Sequence, residues 1–141
     1  QYSKKAIPQL TRITIHRAVD LYLRCPYQAK VIKALAEEES CVIIGRCADF
    51  ILKDRPNVVS VFVHASPKYC LEQAIAKGAN GGKDVERFIQ KTDKYRAEYY
   101  RYYTGQDWND ARNYDLCLNS EKLGFEKCVE AIKSYIQVRF S

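Results

Sequence analysis

Three short runs that are apolar at nearly every position constrain the fold of this chain most: Cys41-Val42-Ile43-Ile44, Val58-Val59-Ser60-Val61-Phe62-Val63 and the centre of Asp115-Leu116-Cys117-Leu118-Asn119. A strand with one wet face alternates apolar and polar residues. A strand without that alternation belongs inside a parallel sheet covered by helices. The segments between the runs carry helical spacing. Residues 27–38 place Val31, Ile32, Leu35 and Ala36 on one stripe. Ser66-Pro67 supplies an N-cap followed by proline at the first helical position, and Gly78 a C-terminal stop, around Cys70, Leu71, Ala74 and Ile75. A long helix is predicted from Asp84 to Tyr103, with Val85, Phe88, Ile89, Thr92, Tyr95 and Tyr99 on one side. Another is predicted from Phe125 to Phe140 through Cys128, Val129, Ile132 and Ile136. An earlier helix over 13–23, with Thr14 as cap, should end before Pro26, whose ring clashes with a preceding turn. Strands alternate with helices, so the class is α/β with a parallel sheet.

At 141 residues and 47% hydrophobic, the chain suits one domain, 1–141, and is no disordered tail. No apolar run approaches the length that crosses a bilayer, so no membrane partner is expected. The chain opens on Gln1 and contains no Met, which leads us to expect natural sequence upstream. Six cysteines without a C-x-x-C pair, and only His16 and His64 beside them, give no zinc spacing. They read as reduced thiols in a cytoplasmic protein, with Cys41, Cys117 and Cys128 as small core groups. The net charge of +6 suits an anionic partner, or solubility alone.

In parallel sheets ligands bind beyond the carboxyl ends of the strands, which directs attention to Gly45-Arg46-Cys47, His64-Ala65-Ser66 and Asn119-Ser120. Arg46 offers a planar fork for a phosphate, or an ordinary surface salt bridge. Residues 79–82, Ala-Asn-Gly-Gly, form a flexible loop, and Lys83, Arg87 and Lys91 add positive charge beside it. Asp93 and Arg96, three apart, share one face of the long helix. They suit a sugar and a phosphate, or a plain ion pair. The run Tyr99-Tyr100-Arg101-Tyr102-Tyr103 with Trp108 could stack bases. Tyrosines four apart also make a packing stripe with wet hydroxyl tips, the preferred reading, which ranks nucleic acid below a mononucleotide as partner and leaves a basic, aromatic single-strand-binding domain as a third reading. His64 ends a strand, where a lone histidine is more often structural.

The ordered series Cys41-Val42-Ile43-Ile44-Gly45-Arg46, Val61-Phe62-Val63-His64-Ala65-Ser66, Asp93-x-x-Arg96 and Asp115-Leu116-Cys117-Leu118-Asn119-Ser120 resembles the cytidylate-kinase-like family. The resemblance implies a P-loop-kinase-like three-layer αβα fold with a central parallel sheet. It implies phosphoryl transfer from ATP, with Mg²⁺, to a nucleoside monophosphate such as CMP. Arg46, Asp93 and Arg96 would bind the acceptor, and residues 78–103 would be a lid and its helix, bringing the catalytic cations Lys83 and Arg87 over ATP. A relative that kept the fold and lost transfer is the alternative. Cys47 stands where such kinases commonly place Asp, and the lid is poorer in arginine than expected. No G-x-x-x-x-G-K-[ST] occurs, so the first strand and phosphate loop are expected upstream of Gln1.

Overall fold

The computed structural model describes residues 25–141, with side chains from Tyr27 onward. The helix predicted over 13–23, with Thr14 and His16, lies outside the described residues. The protein is mixed α/β, mostly helical, with a small parallel sheet. It falls into two compact units divided after Val58. Among the described residues no helix is long and apolar enough to cross a membrane.

In the first unit, α1 spans Cys25–Glu38. It therefore includes Pro26 in its first turn, where a missing N–H costs no helical hydrogen bond. The predicted stripe faces inward: Ile32 is buried at 1% exposure, and Val31, Leu35 and Ala36 are half-buried. Ile32 meets Ala48 and Leu52 in a core closed by Ala36, Ile43, Ile51 and Val58. Ala48–Ile51 forms a single helical turn, α2. Arg55 donates to Glu37 at 2.7 Å across this unit.

The run 41–44 is not a strand, contrary to the sequence expectation. An extended segment becomes one only when its N–H and C=O groups find a ladder, and among the described residues none pairs with it. Its side chains nevertheless alternate. Ile43 packs on the core, while Val42 and Ile44 are exposed. The chain then turns sharply through Gly45, Arg46 and Cys47, all at positive φ, before α2 begins.

The second unit is built on two parallel strands, β1 (Val61–His64) and β2 (Leu116–Asn119), paired Val61 to Leu116 through His64 to Asn119. β1 starts three residues later than the apolar run suggested and includes His64. The connection between them carries α3 (Pro67–Ala76), a 3-10 turn (Ala79–Gly82) and α4 (Val85–Thr104). α5 (Ser120–Phe140) closes the chain. Ser66 caps α3 as its sequence predicts, its hydroxyl accepting from Tyr69 N–H at 3.3 Å. Pro67 takes the first helical turn, and Gly78 adopts the left-handed conformation past the end.

Leu118, Cys128, Val85 and Tyr100 are the buried apolar side chains here. Cys117, expected in the core, is exposed, because the β2 pleat sends neighbouring Leu118 inward and Cys117 to the other face. Phe62, its partner in register, lies on that outer face under Tyr114, stacked at 4.9 Å, and Trp108, edge-on at 5.7 Å. Tyr114 donates its hydroxyl proton to the Trp108 carbonyl at 2.7 Å, which holds the aromatic group together.

Candidate functional site

The segment joining α3 to α4 is written by its small residues. Asn80, Gly81 and Gly82 take φ of 51°, 62° and 77° in succession, a left-handed turn closed by Lys83 N–H to the Asn80 carbonyl at 3.2 Å. L-residues avoid this conformation by about 1–2 kcal/mol each, and glycine and asparagine are the ones that visit it. The Asn80 side-chain amide donates to the Lys83 carbonyl and braces the turn. Asp84 occupies the N-cap position of α4, also left-handed, with no side-chain capping bond.

The turn aims the chain so that the first two turns of α4 face a shallow depression of about 350 Å³. Asn80, Asp84, Arg87, Phe88 and Lys91 line it. Arg87 and Lys91 are one helical turn apart, hence on one face. Neither enters an ion pair among the described residues. Two cations beside an exposed aromatic ring can hold an anion carrying a planar group. Asn80 and Phe88 were not marked as site residues by sequence reasoning. For Asn80 the signal was present, since asparagine before two glycines marks a left-handed turn.

Asp93 and Arg96 are together as their spacing requires, with Arg96 Nη1 3.3 Å from Asp93 Oδ1 and both side chains at least half-exposed. Nine residues separate Arg87 from Arg96, about half a turn of the helix at roughly 100° per residue. Arg96 therefore lies on the flank opposite Arg87, and the depression is lined by Arg87 and Lys91. Lys83 sits between the left-handed turn and α4, exposed. Arg46 belongs to the first unit, half-buried in its own left-handed turn at φ 60°.

At the carboxyl ends of β1 and β2 the polar groups are taken up by one another. Ser120 hydroxyl donates to the His64 carbonyl at 3.3 Å, and Asn119 Oδ1 accepts from the N–H groups of Glu121 and Lys122. Ser66 N–H donates to Glu121 Oε2 at 3.1 Å. The Ser66 hydroxyl and N–H thus hold the Glu121 carboxyl below its ordinary range. Glu121 escaped the sequence reading, because its partner lies 55 positions away. His64 stacks on Phe62, with ring centroids 6.2 Å apart.

These features define an α/β protein with a parallel β-helix-β crossover, whose cations gather on the helix behind a glycine-rich turn. The chain belongs to the cytidylate kinase-like family, whose model matches residues 21–122. At the family level this makes it a relative of kinases that act on nucleotides. None of the proteins of curated function matches it. Among solved structures it is similar to an uncharacterized protein from Eubacterium ventriosum ATCC 27560, at 32% identity and a TM-score of 0.70 over 81% of this chain. The chain spans 63% of the length of that protein.

Proposed function

We propose that the whole protein moves the γ-phosphoryl of ATP to a nucleoside monophosphate, on a P-loop-kinase-like three-layer fold in a single domain over 1–141. The residues 78–103 would act as lid and lid helix. The observation that carries this reading is the match to the kinase-like family together with two cations, Arg87 and Lys91, that enter no ion pair among the described residues and stand on the helix behind the left-handed glycine turn. Transfer of this kind asks little covalent chemistry of the protein. It asks for positive charge where negative charge spreads over the moving group, and for exclusion of water.

In this scheme Lys83 and Arg87 meet the transferring phosphates as the lid closes. Arg96 neutralises the acceptor phosphate, Asp93 orients Arg96 and accepts from the sugar, and Arg46 adds a second fork to the acceptor. The phosphate loop that grips ATP would be supplied by sequence outside these 141 residues. That fits the absence of its motif here and the greater length of the similar structure. Among the described residues no cluster of histidine, cysteine and carboxylate side chains could seat a metal ion, so no residue is assigned to Mg²⁺.

The test is a panel of nucleoside monophosphates, CMP included, incubated with ATP and the complete protein, with diphosphate formation followed by chromatography. One acceptor should turn over, and Arg96→Ala should lower kcat/KM for it by about a hundredfold, the scale of losing one preorganised cation or donor. Saturable mononucleotide binding with no turnover would instead establish a relative that kept the fold and lost transfer.

A further inference from the structure

The tyrosines of α4 do not form the buried packing stripe that their spacing suggests. Of those between 95 and 103 only Tyr100 is buried, donating its hydroxyl proton to Gln106 Oε1 at 3.1 Å. Tyr95, Tyr102 and Tyr103 are 63%, 81% and 38% exposed, and Tyr99 is half-buried. Their rings run as a continuous ladder. Centroids are 6.1 Å apart from Tyr95 to Tyr99, 4.6 Å from Tyr99 to Tyr103 and 4.9 Å from Tyr103 to Tyr102. So many exposed rings in one contiguous patch mark a contact surface, whereas scattered ones would need no account.

The ladder continues the row that begins at Arg87 and Lys91. Steps of four residues lead from Arg87 to Lys91, Tyr95 and Tyr99, and one step of three reaches Tyr102. At about 1.5 Å per residue the row is roughly 22 Å long. The carboxylates beside it are mostly neutralised. Asp93 pairs with Arg96 at 3.3 Å and Glu98 with Lys94 at 3.8 Å. At the cationic end Asp84 lines the depression and Glu86 stands in the first turn of the helix. The surface is therefore two cations, without an ion pair among the described residues, leading into a run of tilted and edge-on tyrosine rings that are mostly exposed, on a chain of net charge +6. An acidic peptide would satisfy the cations and leave the rings without a complement. A single-stranded nucleic acid offers both a phosphate for each cation and a base face for each ring.

We propose that the α4 face formed by Arg87, Lys91, Tyr95, Tyr99 and Tyr102 binds single-stranded nucleic acid, its bases stacking on the tyrosine rings and its backbone held at Arg87 and Lys91. This goes beyond phosphoryl transfer and stands whether or not transfer occurs. Fluorescence anisotropy of a dye-labelled oligouridylate titrated with the complete protein tests it. Binding should weaken with salt at a logarithmic slope of about −1.4, two phosphates at roughly −0.7 each, and Arg87→Gln should remove about half of that slope. The Tyr95→Ala/Tyr102→Ala pair should weaken binding at least about fivefold per ring, while Tyr95→Phe/Tyr102→Phe should preserve it, because stacking needs the ring and not the hydroxyl. Melting followed by circular dichroism checks that the variants fold. If the alanine pair melts early, Tyr102→Ala alone, at the most exposed ring, carries the comparison. Absence of binding at low salt, or affinity indifferent to the alanine changes, would overturn the proposal. So would displacement by polyglutamate as effective as by unlabelled oligouridylate, which would mark an acid-binding surface. Equal displacement by UMP would return the site to mononucleotides and overturn it too.

Discussion

At the scale of single residues, the backbone at 45–47 is the most unusual feature of the first unit. Gly45, Arg46 and Cys47 hold φ of 73°, 60° and 55°, so two side-chain-bearing residues sit where L-residues lose about 1–2 kcal/mol each. Such conformations persist only when the surroundings enforce them. Here Ala48 N–H bonds back to the Gly45 carbonyl at 3.2 Å, and Cys47 is buried at 7% exposure. Arginine at position 46 thus has a conformational cost that glycine would avoid. Arg46→Gly should melt at least as high as Arg46→Ala, by up to about 1 kcal/mol after allowing for the greater freedom of glycine in the unfolded chain. If Arg46 serves the acceptor phosphate, both changes should weaken monophosphate binding to a similar degree. Thermal melts and calorimetric titration on the pair separate the two effects. Loss of stability without loss of binding would make the arginine structural.

At the scale of elements, α5 shows how one residue divides a helix. Gly124 interrupts it at φ 74°, ψ 165°, a region open to glycine alone, so that 120–123 and 125–140 are separate helical stretches. A Cβ at Gly124 would meet nothing within 4 Å, so any penalty for Gly124→Ala is conformational and not steric. The change should cost about 1–3 kcal/mol, read as a lowered midpoint in urea with an unchanged slope. A neutral result would mean that the helix straightens through the site. The sequence reading placed this second stretch correctly at Phe125, because its apolar period starts there. It missed the turn at 120–123, which is set by Asn119 as a cap and not by any apolar pattern. The same contrast runs along the chain. Ser66-Pro67, Gly78 and the long period of α4 act locally and were legible. The ladder that 41–44 lacks, the outward turn of Cys117 and the exposure of the tyrosines depend on what lies across from them, which no local pattern states. Of the candidate site, the cations were legible from their spacing. Their division between two flanks of α4 followed only once the helix was continuous from Val85 to Thr104.

At the scale of the whole molecule, the second unit is closed by one carboxylate that joins distant parts of the chain. Asp115 accepts from Ser60 N–H at 2.8 Å and from the Ser60 hydroxyl at 3.1 Å, and Arg139, near the end of α5, lies 3.0 Å from the same oxygen. The starts of both strands and the last helix thus meet at a single ionised group, bridging 55 positions on one side and the chain terminus on the other. Burial pushes the Asp115 carboxyl up, but the bonds from Ser60 and the Arg139 charge outweigh it and leave its pKa below the ordinary value of 3.8. A carboxyl whose folded pKa is depressed stabilises the fold at pH above its unfolded value. That contribution drains away as pH falls through the folded one. Hydrogen bonds to a charged group are each worth about 1.5–3 kcal/mol when removed. With 35% of the Asp115 side chain still in water, about 1–2 kcal/mol in total is the reasonable expectation. Asp115→Asn should therefore melt below the parent chain at neutral pH, and the gap should narrow as pH drops beneath the usual carboxylate range, where the parent loses the charge that the variant never had. A gap that stays constant down to strongly acidic pH would show that the asparagine disturbs packing and that the ionised clamp contributes little. A gap that closes would establish that one buried-edge carboxylate ties the sheet to the final helix.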